Sequence, residues 1–228
     1  MRGLPGLAVL VVALVAGGAS AEDGWEQVTH GDVTIRVRKR ADIPGGREIW
    51  AEGVMNAGIQ DIQSVLRDHE SFRQWMPYVT ESRVLSTGPE GTRITYTKLD
   101  LPVISNRDYV VRVVDEQLVE ADGTGTFRQK WSSDNQALPE REGIVRLRHN
   151  EGSWVFTPRG EGQAHFVYRF TVEPGGSIPG FLAGFGQKDA VMDTVRAVEK
   201  RARKLGSARV AASQTASQPG TGGSPRPL

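Results

Sequence analysis

The segment Ser105-Asn106-Arg107-Asp108-Tyr109-Val110-Val111-Arg112-Val113-Val114 sets one charge inside a run that is apolar on both sides. Side chains alternate across a strand, so Tyr109, Val111 and Val113 share one face and Val110, Arg112 and Val114 the other. An arginine between two valines must be exposed, paired, or turned toward a cavity that can use a cation. Burying it alone costs several kcal/mol. Which of these three holds decides much of the chemistry available to the chain.

Other reactive patterns are sparse. The histidines His30, His69, His149 and His165 are scattered and show no metal-ligand spacing with carboxylates. His69 lies between Asp68 and Glu70, but adjacent residues on a helix do not share a face. There is no Gly-x-Ser-x-Gly elbow and no phosphate-binding glycine loop. Asp108, beside Arg107 at a strand start, reads as a turn or ion-pair residue. Zero cysteine excludes disulfides, thiolate nucleophiles and Cys-based metal sites. No catalytic residue, metal or cofactor is implied.

The two ends differ from the middle. Residues 1–21 carry one charge, Arg2, then an apolar core and the small-x-small site Ala19-Ser20-Ala21, followed by Glu22 and Asp23. That is the layout of a cleaved secretory signal peptide, which predicts a periplasmic or secreted product. An uncleaved anchor is the alternative, though the apolar core is short for a span of roughly 20 residues. Residues 206–228 are rich in Gly, Ser, Ala, Thr, Gln and Pro with no aromatic residue. They are expected to form a disordered tail. Residues 22–205 form one domain. Arg2, Arg209 and Arg226 are the only basic residues outside it, so it is near neutral and lacks the basic footprint of a nucleic-acid binder.

Within the domain, Asp32–Arg40 alternates as a half-exposed strand, Pro44-Gly45-Gly46 turns, and Arg47–Met55 returns. Asn56 is a candidate cap for a helix in which Ile59, Ile62, Val65 and Leu66 recur at helical spacing, ending near Trp75-Met76-Pro77. Strands are predicted over roughly 79–86, 92–99, 109–116, 125–132, 144–149, 153–158 and 164–173, with a polar loop at 134–143. Pro174-Gly175-Gly176 breaks the last strand. Ile178-Pro179 leads into an amphipathic helix to about Leu205, its apolar stripe formed by Phe181, Phe185, Met192, Val195, Val198 and Ala202. This order is α+β, an antiparallel sheet with a long C-terminal helix. Trp154, Phe156, Phe166, Tyr168 and Phe170 lie on shared strand faces and either fill a core or line an elongated apolar cavity.

At this level the chain resembles the START (StAR-related lipid transfer) domains of the helix-grip superfamily. The resemblance covers nearly all of 24–204. It rests on Phe72-Arg73-Gln74-Trp75, Asn106-Arg107-Asp108-Tyr109-Val110, Trp154-Val155-Phe156-Thr157-Pro158 and Gly176-Ser177-Ile178-Pro179-Gly180-Phe181-Leu182. It implies a curved antiparallel sheet wrapped around the C-terminal helix, enclosing a tunnel that holds one sterol, phospholipid or other lipid, with that helix as lid. Arg112 matches a buried cavity arginine of sterol-type members, and Thr97 stands where those members place its acid. Such an arginine can bind an anionic headgroup, a carboxylate or a hydroxyl, find Asp100 or Glu116, or tilt to solvent. His149, Trp154, Phe156, Tyr168 and Phe170 fall at cavity-lining positions of the family, and Phe181, Phe185, Met192 and Val195 on the lid stripe. Gly180, Gly184 and Gly186 weaken the helix start.

The expected activity is carriage or sensing of one apolar small molecule, with transient membrane contact, by a monomer that uses no nucleic acid. Two other readings follow. One is a small-molecule enzyme of the same superfamily, aromatase/cyclase-like, with Arg112 and Tyr96 or His149 orienting the substrate. The other is a protein-interaction module with a filled core.

Overall fold

The computed structural model describes residues 24–29, 31–101, 104–176 and 186–216. Among these, ten strands form one sheet: β1 (Glu26–Thr29), β2 (Val33–Lys39), β3 (Arg47–Met55), β4 (Val79–Thr87), β5 (Arg93–Leu99), β6 (Arg107–Gln117), β7 (Phe127–Ser133), β8 (Val145–Arg146), β9 (Asn150–Pro158) and β10 (Ala164–Val172). The order is β1-β2-β3-β10-β9-β7-β6-β5-β4, every neighbour antiparallel, with the short β8 parallel to β6. Helix α1 (Ile59–Arg67), the single turn α2 (Phe72–Trp75) and α3 (Gly186–Ala216) complete the described elements. The α+β helix-grip architecture expected from the sequence is the one observed.

The dry core lies where α1 and α3 meet the sheet. Ile59, Ile62, Val65 and Leu66 of α1 pack with Val191, Val195, Val198 and Ala202 of α3 and with Met55, Phe127, Phe156, Ala164 and Phe166 of the strands. Gly206 lets α3 pass close to α1, since a Cβ there would sit 2.6 Å from Asp61 Oδ2. Asp61, pushed above its ordinary pKa by burial, receives Arg209 at 3.0 Å.

Three local expectations are corrected. Asn56 does not cap α1: its amide donates to Glu199, its side chain is held by Gln163, and Gly58 occupies the N-cap. The strand expected over 144–149 shrinks to Val145–Arg146, because Arg146 turns inward to bond Asp108 and the carbonyls of Leu138 and Pro139. The disordered tail expected from Gly206 is corrected over 206–216. α3 continues to Ala216, favoured by alanines and anchored by Arg209 on Asp61. Residues 217–228 and 1–21 lie outside the described residues, as do Gly180, Gly184, Phe181 and Phe185. No helix among the described residues is long and apolar enough to cross a membrane.

Asp108 and Arg146 form a buried ion pair at 2.7 Å, each side chain 1% exposed. Removing one partner strands the other charge. Asp108→Ala should therefore lose about 3–5 kcal/mol of unfolding free energy, and Asp108→Leu combined with Arg146→Met should recover most of it. Urea titrations of the single and double variants check this.

Candidate functional site

The inner face of the sheet is longer than the dry core that covers it. Beyond Trp154 it borders a cavity of about 800 Å³, roofed on one side by the start of α3. This is within the range of small-molecule sites, about 300–1,000 Å³. Register builds the wall. Tyr168 lies opposite Trp154, and Phe170 and Trp131 both lie opposite Gly152. Trp154 and Tyr168 stack with ring centroids 3.7 Å apart, Tyr168 and Phe170 at 4.8 Å, and Trp131 and Tyr168 at 6.0 Å. Gly152 is required for this stacking, because a Cβ there would run into the Trp131 ring, the Arg169 carbonyl and Phe170 Cβ. Ile49, Val111, Val113, Val172, Phe72 and Leu99 are among the other apolar side chains of the lining.

Polar groups enter at three levels. At the inner end, Arg93 grips Asp115 at 2.8 and 3.1 Å, while Gln129 and Arg67 also donate to it at 2.8 and 3.0 Å. Burial pushes the Asp115 carboxyl up, but hydrogen bonds from Arg93 and Gln129, together with the charges of Arg93 and Arg67, outweigh it and hold the pKa below the ordinary value. Arg93 is therefore neutralised where it borders the cavity.

Midway, His69 Nε2 donates to the Tyr96 carbonyl at 3.3 Å and lies 3.1 Å from Thr97 Oγ1. A carbonyl only accepts, so Nε2 carries the proton. The Thr97 hydroxyl in turn meets that of Tyr109, across the β5–β6 ladder. Desolvation lowers the His69 pKa to about 4, so the ring is neutral. Burial raises the Tyr109 and Tyr168 phenols. The result is a band of neutral hydrogen-bonding groups.

At the outer end, where β10 runs out into Pro174–Gly176, stand Arg47, Arg107 and Asn150. Arg107, 2% exposed, donates to the carbonyls of Ser105, Pro174 (3.2 Å) and Gly175 (3.4 Å). Asn150 accepts from Trp131 Nε1 at 3.0 Å. Across the cavity, Tyr78 holds a left-handed backbone, φ 63°, and donates its hydroxyl to Asp193 of α3 at 2.9 Å. That conformation is costly for a bulky residue and is retained where the surroundings impose it.

The residues singled out from the sequence separate here. Trp154, Tyr168 and Phe170 line the cavity. Phe156 is fully buried in the dry core against Phe127 and Trp154. Thr97 is fully buried one step behind Tyr109. His149 lies on the outer surface beside Glu151 at 3.4 Å. Met192 and Val195 pack into the core, and α3 presents Asp189, Ala190, Val191 and Thr194 to the cavity instead. The largest correction is Arg112. It faces outward, half exposed, and pairs with Asp134 at 2.8 Å. The inward face of β6 is that of Arg107, Tyr109, Val111 and Val113, and Ile94, not Thr97, sits opposite Arg112. Arg93, Arg107, Arg47, Asp115 and His69 were missed, because each reads as an ordinary strand-end or helix-end charge until the register is known.

The family model described as polyketide cyclase/dehydrase and lipid transport matches residues 55–199. An uncharacterised protein of Pseudomonas aeruginosa is 30% identical over 210 residues, spanning 90% of this chain and all of that one. Phosphatidylcholine transfer protein of Bos taurus is 28% identical over 152 residues, 65% of this chain and 70% of that protein. The crystal structure of a STAR-related lipid transfer protein fragment from Xanthomonas axonopodis superposes with a TM-score of 0.68 at 30% identity, covering 79% of this chain and 99% of that one.

The neutral His69 carries a pH signature. Its pKa falls from 6.5 to about 4 on folding, so the unfolded chain binds more protons between those values. The stabilisation from keeping it neutral is complete above about 6.5 and is lost as pH falls toward 4, by about 3 kcal/mol in all. His69→Gln should flatten that part of the stability–pH curve, read as the difference between variant and parent in urea titrations across the window.

Proposed function

This chain belongs to the polyketide cyclase/dehydrase and lipid transport family, and we propose that it binds a single lipid in the cavity and carries or senses it. The observation that carries the reading is a void of about 800 Å³ walled by Trp131, Trp154, Tyr168, Phe170 and aliphatic side chains. Apolar walls of this kind favour a ligand that buries hydrocarbon, at about 0.8 kcal/mol per CH₂. Association costs on the order of 4–15 kcal/mol in lost freedom. A ligand must therefore bury roughly ten or more methylenes to be held, which favours a lipid over a small polar solute. A filled-core interaction module has no use for such a void.

In this reading α3 acts as the lid, released by breaking the Tyr78–Asp193 contact at a membrane. Tyr109 and His69, backed by Thr97, orient a ligand hydroxyl or carbonyl. Residues 1–21 direct export, so the protein works in the periplasm or outside the cell. N-terminal sequencing of the exported protein should then begin at Glu22, and a first residue at Met1 would sink the cleavage proposal.

One feature favours a second reading, an enzyme of cyclase type. A neutral imidazole and the phenols of Tyr109 and Tyr168 border one apolar cavity, and they could orient and protonate a reactive ligand. The two readings differ in what leaves the cavity. A carrier returns its ligand unchanged, whereas an enzyme returns a product of different mass.

Organic extracts of the protein purified from its own compartment should yield one lipid class near one molecule per chain by mass spectrometry. Val111→Phe, which narrows the cavity, should lose that ligand without losing thermal stability. Absence of ligand, together with no binding of added lipids, would overturn the carrier reading.

A further inference from the structure

The two ends of the cavity treat charge differently. At the inner end Arg93 is neutralised by Asp115. At the outer end Arg107 and Arg47 both line the cavity, and neither has a carboxylate partner among the described residues. Arg107 is 2% exposed and spends its bonds on three backbone carbonyls. A guanidinium carries five N–H donors, so two remain, and three carbonyl dipoles do not cancel a full charge. Desolvation depresses its pKa, the mark of a buried cation without a counter-ion. A buried charge left uncompensated costs several kcal/mol, and an anion brought in by a ligand would remove that cost.

Arg47, on β3, reaches the same end of the cavity from the other side of β10. It pairs with Val172, and Arg107 bonds Pro174 two residues further along the same chain. Gly176 lies beside Arg107: a Cβ there would stand 3.9 Å from Arg107 Nη2 and 3.2 Å from Val145 Cγ2. Asp189, the acid that borders the same cavity, lies on α3 and acts on Tyr78. The cavity rim keeps a net positive charge.

We propose that Arg107 and Arg47 form an anion site at the outer end of the cavity, which selects an amphipath with a carboxylate or phosphate headgroup while its hydrocarbon lies along the Trp131–Trp154–Tyr168–Phe170 wall. This rests on the carrier reading and names its ligand class. The headgroup sits between the two arginines, donors to its oxygens, and the chain points toward Arg93. Arg112, on the outer face, takes no part.

The wall supplies the readout. Trp131 and Trp154 border the cavity, so bromine atoms on a bound chain quench their fluorescence. The probes are dibrominated stearate and its uncharged methyl ester, titrated into the full chain. The parent should bind the carboxylate about tenfold more tightly than the ester, as one charge-assisted hydrogen bond would give. Arg47→Gln should lose most of that preference by weakening the acid alone. Arg112→Gln, which removes the same charge outside the cavity, should keep it. Arg107→Lys, which retains the cation but not the fork, should lower the preference while the ester still binds.

Equal affinity of the parent for acid and ester would overturn the anion site and leave the carrier reading standing. No quenching by either probe would overturn the carrier reading itself. Inorganic phosphate distinguishes the source of the anion. If millimolar phosphate abolishes the preference while both probes stay bound, the arginines hold a free ion and the headgroup assignment falls. If the preference survives, the headgroup assignment stands.

Discussion

Strand alternation on a curved sheet is the constraint from which the rest of the molecule follows. Each inward residue of β3, β5, β6, β7, β9 and β10 has its neighbours on the outside, so the chain cannot present large apolar groups inward without committing a whole face. That face is longer than the helices can cover. α1 and α3 close over Phe127, Phe156 and Phe166, which become dry core. Among the described residues, no helix side chain fills the space beside the continuation of the same strands through Trp131, Tyr168 and Phe170. Core and cavity are thus two ends of one surface.

Charges inside this surface are handled by local neutralisation. Asp115 collects Arg93, Gln129 and Arg67. Glu48, nearly buried, collects Arg38 and Arg169 on the opposite face of β3. Asp108 takes Arg146. These pairs let polar residues occupy strands whose neighbours are apolar, at a desolvation cost that good geometry largely offsets. Against that pattern, Arg47 and Arg107 stand out as cations facing the cavity with no such partner among the described residues. The electrostatic asymmetry of the cavity follows from where carboxylates are placed, not from how many arginines it holds.

Much of this was legible in the sequence, and the failures have physical causes. The strand boundaries and the aromatic wall followed from period-two patterning and from aromatics at Trp154, Tyr168 and Phe170. The facing of β6 was not legible, because both of its faces are apolar: Val110 and Val114 cover the outside as Val111 and Val113 line the inside. Val110 is fully buried under the segment that starts at Asp134, whose amide bonds the Val110 carbonyl. A second layer over the sheet therefore erased the polarity difference that normally separates inside from outside, and Arg112 was assigned to the wrong side. Arg107, one residue from its turn, looked like a loop charge. Only the pairing of β6 with β5 and the return of the chain at Pro174 place it at the cavity. The described part of the α3 stripe was right in period and phase, since Met192, Val195, Val198 and Ala202 pack on the core, but the cavity is met by the neighbouring Asp189, Ala190, Val191 and Thr194.

An apolar void lacks partner atoms on one side, so its lining forgoes dispersion contacts that a filled core would supply. Without disulfides to compensate, the cavity end of this fold is held by few devices: the Tyr78–Asp193 contact and the three carbonyls gathered by Arg107. A ligand that fills the space adds the missing contacts and stabilises by mass action, about 2.7 kcal/mol at a hundredfold excess over Kd. The guanidinium that fastens Pro174 and Gly175 is also one that faces the ligand. In the proposed carrier reading, an anion bound there would share donors with Pro174 and Gly175, so occupancy of the cavity would be felt first at the chain that leads toward the proposed lid.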